Sequence, residues 1–173
     1  MIREHEIPSS YLTKQDEFTK NTIDTVNDLI KMCEDGHEGF REAAEGTSNN
    51  DLKTLFATYS NERAAFASNL KEIVRGLGAE PEHSGSLSAA LHRGWMDIKA
   101  AVTGNDDAAI LNECERGEDS AKKVYKEALE QELPDYVRQV VQTQYEGILG
   151  AHDRIKTLRD SFNEKASSAR SAL

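Results

Sequence analysis

The chain has 173 residues, 38% of them hydrophobic and 30% charged, with 31 acidic against 21 basic side chains and a formal net charge of -10. That length closes one ordinary core without disulfides or structural metal, and the acidic excess leaves no basic stripe for a phosphate backbone, which argues against nucleic acid as a partner. No apolar run approaches the roughly 20 residues that span a bilayer, and Met1-Ile2-Arg3-Glu4-His5-Glu6 lacks the apolar core of a signal peptide, so a cytoplasmic protein with no membrane partner is expected.

Three prolines and 6% aromatic residues favour an all-α class. Residues 1–20 show no sustained period and read as a tail or short flanking segment. A first helix is predicted from Asn21 to Gly46, with an apolar stripe of Ile23, Val26, Ile30, Cys33, Phe40 and Ala44. A second follows Asn50 and ends at Gly78, its stripe formed by Leu52, Leu55, Tyr59, Phe66, Leu70, Ile73 and Leu77. A shorter helix is predicted from Ser86 to Thr103, carrying Trp95. Asn105-Asp106-Asp107 then caps a third long helix with Ile110, Cys114, Ala121, Val124 and Tyr125 on its stripe. The last opens at Pro134 and fades into Ala166-Ser167-Ser168, which leaves residues 21–165 as one helical bundle and residues 166–173 as a C-terminal tail. Cys33 and Cys114 form neither a CxxC nor a finger spacing and read as two buried thiols.

Short connections make antiparallel hairpins of the first and last pairs of long helices. Between the pairs, about 18 helical residues at 1.5 Å each would span roughly 27 Å, the length of the bundle. The segment therefore reads as a crossover that leaves the third long helix parallel to the second.

The stretch from Gly85 to Lys99, containing Leu91-His92-Arg93-Gly94-Trp95-Met96, and the stretch Ile110-Leu111-Asn112-Glu113-Cys114-Glu115-Arg116-Gly117-Glu118-Asp119 resemble a bacterial family of four-helix-bundle proteins of unknown function. Asp35-Gly36-His37-Glu38-Gly39-Phe40 and Ala151-His152-Asp153-Arg154-Ile155 fit the same pattern. The resemblance covers about residues 21–160 and implies a ferritin-like fold, whose wider superfamily includes iron stores, ferroxidases and rubrerythrin-like enzymes. Their sites take a Glu from each of two helices and a Glu-x-x-His from each of the other two. This chain departs from that pattern: Glu62 is followed at the fourth place by Ala65, and His152 has Leu149 three places before it.

Polar residues nevertheless interrupt every stripe. Glu34 and His37 form one real Glu-x-x-His, Glu62 and Arg63 fill the gap between Tyr59 and Phe66, Glu118 lies between Cys114 and Ala121, and Gln144 and His152 interrupt the last helix. Counted from the loops, Glu34, Glu62 and Glu118 rise to about 18 Å and His37 and His152 to about 12 Å. Carboxylate and imidazole at that spacing are ligands for iron, manganese or zinc. The same residues also suit an ion-pair network in which Arg63 meets Glu118 and supplies the cation itself. Glu80-Pro81-Glu82-His83 reads as a solvated turn, His92 and Arg93 as surface, and Trp95 as the anchor of the crossover. No GxGxxG, Walker A loop or GxSxG elbow is present.

Two functions stay open at this level, and with them whether the chain is an enzyme. The first is a ferritin-like, stress-associated bundle of unknown function that acts by association or small-ligand binding without a catalytic site. The alternative is a metal-binding oxidoreductase or ferroxidase-type protein, with iron or manganese held in an incomplete di-metal site by Glu34, His37, Glu62, Glu118 and His152. A homo-oligomer, a small ligand and a metal ion remain open as partners.

Overall fold

The computed structural model describes residues 9–82, 95, 97–104 and 106–171. Among these residues are five helices and no strand: α1 (Ser9–Gly46), α2 (Asn50–Gly76), α3 (Ile98–Thr103), α4 (Asp107–Glu130) and α5 (Asp135–Ser171). None of the helices is long and apolar enough to cross a membrane.

Local chemistry sets the helix ends. Asn49 Oδ1 accepts from the backbone N–H groups of Asp51 and Leu52 at 2.9 and 3.2 Å, and Asp106 Oδ1 does the same for Ala108 and Ala109 at 2.9 and 3.4 Å. Each cap satisfies donors that the first helical turn leaves without partners. At the other end of α2, Gly78 takes φ +85, a left-handed conformation open to glycine. Its N–H then reaches Arg75 O at 3.0 Å while Ala79 N–H reaches Val74 O at 3.2 Å, which closes the last turn as a Schellman motif.

Helix α1 begins at Ser9, well before the expected Asn21, and α5 continues to Ser171 past the expected fade at residue 166. Residues 10–17 are exposed on every side, so these turns carry no apolar stripe for a sequence to display. The buried face of α2 is Leu52, Phe56, Ser60, Arg63, Ala67, Leu70 and Val74. Of the stripe read from sequence, Leu52 and Leu70 lie on this face and Leu55, Tyr59, Phe66, Ile73 and Leu77 flank it, because Ser60 and Arg63 occupy the middle of the inward face. Of the helix expected from Ser86, residues 86–94 and 96 lie outside the described set. Trp95 and Asp97 stand in a turn and the helix runs from Ile98; the Asp97 carboxylate is drawn to Arg116 on α4 at 2.7 Å and caps no backbone N–H.

Thr47 Oγ1 donates to Asp107 Oδ1 at 2.5 Å, which ties the α1–α2 turn to the start of α4. Higher up, Arg63 of α2 meets Glu118 of α4, so α2 and α4 start at one end and run parallel, with α1 and α5 opposed to them. Two described points between α2 and α3 lie on α1: Glu82 N–H donates to Asn27 Oδ1 at 3.2 Å, and Trp95 lies against Gly39, nearer the lower end. Helix α1 packs closely on α2 and α4, and α4 on α5, while α2 and α5 touch only sparsely.

The apolar core comes in two clusters. The upper holds Val26, Leu29, Cys33, Ala67, Leu70, Ala121, Tyr125 and Ile148. The lower holds Phe40, Phe56, Trp95, Ile98, Ile110, Cys114 and Ile155.

Candidate functional site

Between the two clusters every long helix turns a small or polar residue inward. Gly36 comes from α1, Ser60 and Arg63 from α2, Gly117 and Glu118 from α4, and Ala151 and His152 from α5. Arg63 is 1% exposed and Glu118 0%. Gly36 makes room for the arginine stem, since a Cβ there would stand 3.2 Å from Arg63 Cγ. One terminal nitrogen of Arg63 donates to Glu118 Oε2 at 2.6 Å and the other to Glu62 Oε1 at 2.6 Å. The guanidinium also lies 5.8 Å from the Phe40 ring centre and 5.4 Å from that of Phe66, within cation–π range. Arg63 Nε and Glu118 Oε1 are buried without a hydrogen-bond partner.

Burial pushes the Glu118 carboxyl above the usual carboxylate range, and the charge and hydrogen bond of Arg63 offset this only in part. Burial also opposes the Arg63 charge, but the Glu118 carboxylate outweighs it and holds the guanidinium above its ordinary value. The carboxylate is thus the costly member of the pair.

A second polar chain runs just above. Tyr125 Oη donates to Gln144 Oε1 at 2.8 Å, and Gln144 Nε2 donates to the Phe66 carbonyl at 3.3 Å. The tyrosine proton is thus committed to Gln144, so the Cys33 thiol donates to Tyr125 Oη across 2.9 Å. Burial pushes the Cys33 thiol up to about 12 and raises Cys114 well above its ordinary value. Both cysteines are free and buried. Neither is a thiolate nucleophile at neutral pH.

Of the five residues proposed from sequence as metal ligands, the structure gathers Glu62 and Glu118, and it gathers them around Arg63. Glu34 pairs instead with Lys71, 2.6 Å away, and its other carboxylate oxygen is buried without a hydrogen-bond partner. His37 Nδ1 lies 3.0 Å from the Ser60 carbonyl and 2.9 Å from Ser60 Oγ, which itself donates to the His37 carbonyl at 2.8 Å. With the hydroxyl proton committed, Nδ1–H is the donor to the Ser60 carbonyl. His152 faces Asp119 through Nε2 at 3.0 Å and Asp153 through Nδ1 at 3.0 Å, with Lys122 Nζ at 3.3 Å from Nε2.

Sequence reasoning missed a mixed donor set at the α4–α5 seam. Glu115, Asp119 and His152 each offer one ligand atom within 4.8 Å of the others. The Glu-x-x-x-Asp spacing on α4 was the available signal. Cations already stand there: Arg159 contacts Glu115, and Lys122 Nζ lies 3.6 Å from Asp119 Oδ1. Also missed were the glycines beneath the crossover. A Cβ on Gly39 would lie 2.0 Å from Trp95 Cε3, one on Gly117 2.2 Å from Trp95 Cε2, and one on Gly46 2.3 Å from Val102 Cγ1. The indole thus rests on the bare backbones of α1 and α4, which confirms Trp95 as an anchor.

Residues 21–131 match the family described as a domain of unknown function (DUF2383). The match takes in more than half of the chain, and the chain belongs to that family. No curated protein matches it.

Proposed function

We propose that this member of the family is a ferritin-like bundle in which an arginine takes the central cation position, so that it acts through its surface and has no catalytic centre. The observation that carries the reading is the Arg63 guanidinium lying 2.6 Å from both Glu62 and Glu118. Those two carboxylates come from α2 and α4, and their charge is already answered by a fixed side chain. The ferritin-like assignment is supported by two antiparallel hairpins joined so that α2 and α4 run parallel, the arrangement of such folds with one long connection. Both thiols are held protonated, and the two histidines are engaged with Ser60 on one side and Asp119 and Asp153 on the other.

Anaerobic titration with Fe(II) and Mn(II), followed by equilibrium dialysis and metal analysis, tests this reading. Wild type, His37→Ala and His152→Ala should take up the same substoichiometric amount of metal. Stoichiometric uptake by the wild type that is lost in both variants would replace the arginine-centred interior with a metal site drawing on Glu34, His37, Glu62, Glu118 and His152.

A further inference from the structure

The donor set at the α4–α5 seam lies outside the arginine layer. Glu115 and Asp119 stand four residues apart on one face of α4, His152 reaches across from α5, and a ligand atom from each lies within 4.8 Å of the other two. Glu115 and His152 are buried, while the Asp119 side chain is 58% exposed and leaves the group open to solvent on one side.

The imidazole is held from behind. Its Nδ1–H donates to Asp153 Oδ1 at 3.0 Å, and that hydrogen bond is the chief cause holding the Asp153 carboxyl below the usual carboxylate range. The other ring nitrogen, Nε2, then turns its lone pair toward Asp119 Oδ1 at 3.0 Å. Two acceptors that close need a cation beside them. Lys122 supplies one loosely: its Nζ is 3.3 Å from Nε2 and 3.6 Å from Asp119 Oδ1, beyond the roughly 2.7–2.9 Å of a charge-assisted hydrogen bond. Lys122 and Arg159, which contacts Glu115, are also far less enclosed than Arg63. Their side chains are 30% and 24% exposed against 2%.

We propose that Glu115, Asp119 and His152 form a zinc site that ties α4 to α5, with Lys122 and Arg159 swinging out to solvent as the ion enters. A histidine whose far N–H is held by a carboxylate is the usual form of a metal-ligating imidazole. Tetrahedral zinc takes nitrogen and oxygen at about 2.0–2.2 Å, which sets neighbouring ligand atoms about 3.4 Å apart, and the gap of 3.0 Å between Nε2 and Oδ1 is close to that edge. Three protein donors leave the fourth position to water, on the side that Asp119 opens. Charge balances as well, since one doubly charged ion answers the two carboxylates that a lysine and an arginine answer now. Mn(II) and Fe(II) stand below Zn(II) in affinity for such donors, so the seam adds no stoichiometric uptake of the two metals that probe the interior. The inference rests on the reading above in placing the ligand at the surface, yet the two fail separately, because an interior site draws on His37 and the seam does not.

Calorimetric titration of the chelator-treated full chain with Zn(II) is the test, alongside thermal melts with and without the ion. The wild type should bind one zinc, and its melting temperature should rise on binding. Asp119→Asn and His152→Ala should weaken binding at least about tenfold, and Asp153→Asn, which touches only the ligand's other nitrogen, by about tenfold. Lys122→Ala removes the competing cation and should bind zinc more tightly than wild type, while His37→Ala should match it. Circular dichroism checks that each variant is folded, and the exposed Asp119→Asn keeps the test valid if His152→Ala is not. A wild type that takes up no stoichiometric zinc would overturn the proposal. So would an affinity unchanged in both Asp119→Asn and His152→Ala. Loss of binding in His37→Ala would move the ion to the interior and overturn both readings together.

Discussion

The guanidinium of Arg63 stands between two unlike carboxylates, Glu62 at the half-open α2–α5 side and Glu118 sealed inside. Removing the arginine leaves Glu118 buried and unanswered, so Arg63→Ala should cost on the order of 3 kcal/mol. Glu118→Gln leaves the guanidinium with only its outer partner and should also destabilise. Combined, the two substitutions should lose less than the sum of their separate losses by about 1 kcal/mol or more in urea melts, because the second removes a charge that the first had stranded. Strictly additive losses would mean that the two residues do not interact. This pair was legible in the sequence as charges inside apolar stripes. The places of Glu34, His37 and His152 were not. Counting residues fixes a height along a helix but not the direction a side chain takes, and no local pattern marks Lys71, Ser60 and Asp119 as their partners.

At the scale of elements, hairpins and caps follow from local chemistry, while the seat of the crossover depends on residues far apart in the chain. Gly39 and Gly117 sit inside long helices, where glycine costs about 1 kcal/mol relative to alanine, and that cost is repaid by the approach of the indole. Trp95 is the only tryptophan in the chain, so its emission reports this contact alone. Gly39→Ala and Gly117→Ala would place a methyl group 2.0 and 2.2 Å from ring carbons. Each should destabilise by about 1–3 kcal/mol through overpacking and shift the emission to the red as the ring is displaced. Gly150→Ala serves as the control, since nothing lies within 4 Å of the place its methyl group would take, and it should stabilise by up to about 1 kcal/mol. Unchanged emission and stability in both crossover variants would show that the indole does not rest on these backbones. Two mid-helix glycines were the signal in the sequence, but their common partner lies on a segment whose register no local pattern fixes.

Across the whole molecule the interior suppresses ionisation on both sides of the arginine layer. Burial raises Cys33 to about 12 from an ordinary 9.0 in the upper cluster, and raises Cys114 well above 9.0 in the lower. Below 9 both states keep these protons, and the thiols add no pH dependence. Between 9 and about 12 the unfolded chain has released the Cys33 proton while the folded chain still holds it. Unfolding then releases protons, so stability falls as pH rises, by about 1.4 kcal/mol per pH unit for each such group. Urea melts between the neutral and the strongly alkaline range should show this fall in the wild type. Cys33→Ala/Cys114→Ala will be less stable at neutral pH because it empties space in both clusters, but its curve should be flatter by up to about 2.7 kcal/mol per pH unit. Tyr125, raised well above its ordinary 10.0 by burial and in part by Cys33, adds to the fall above 10, and repulsion within a chain of net charge -10 acts in both proteins. Between 9 and 10 the difference in slope isolates the thiols. Parallel curves for the two proteins would mean that the folded thiols ionise as freely as the unfolded ones, and that water reaches both clusters.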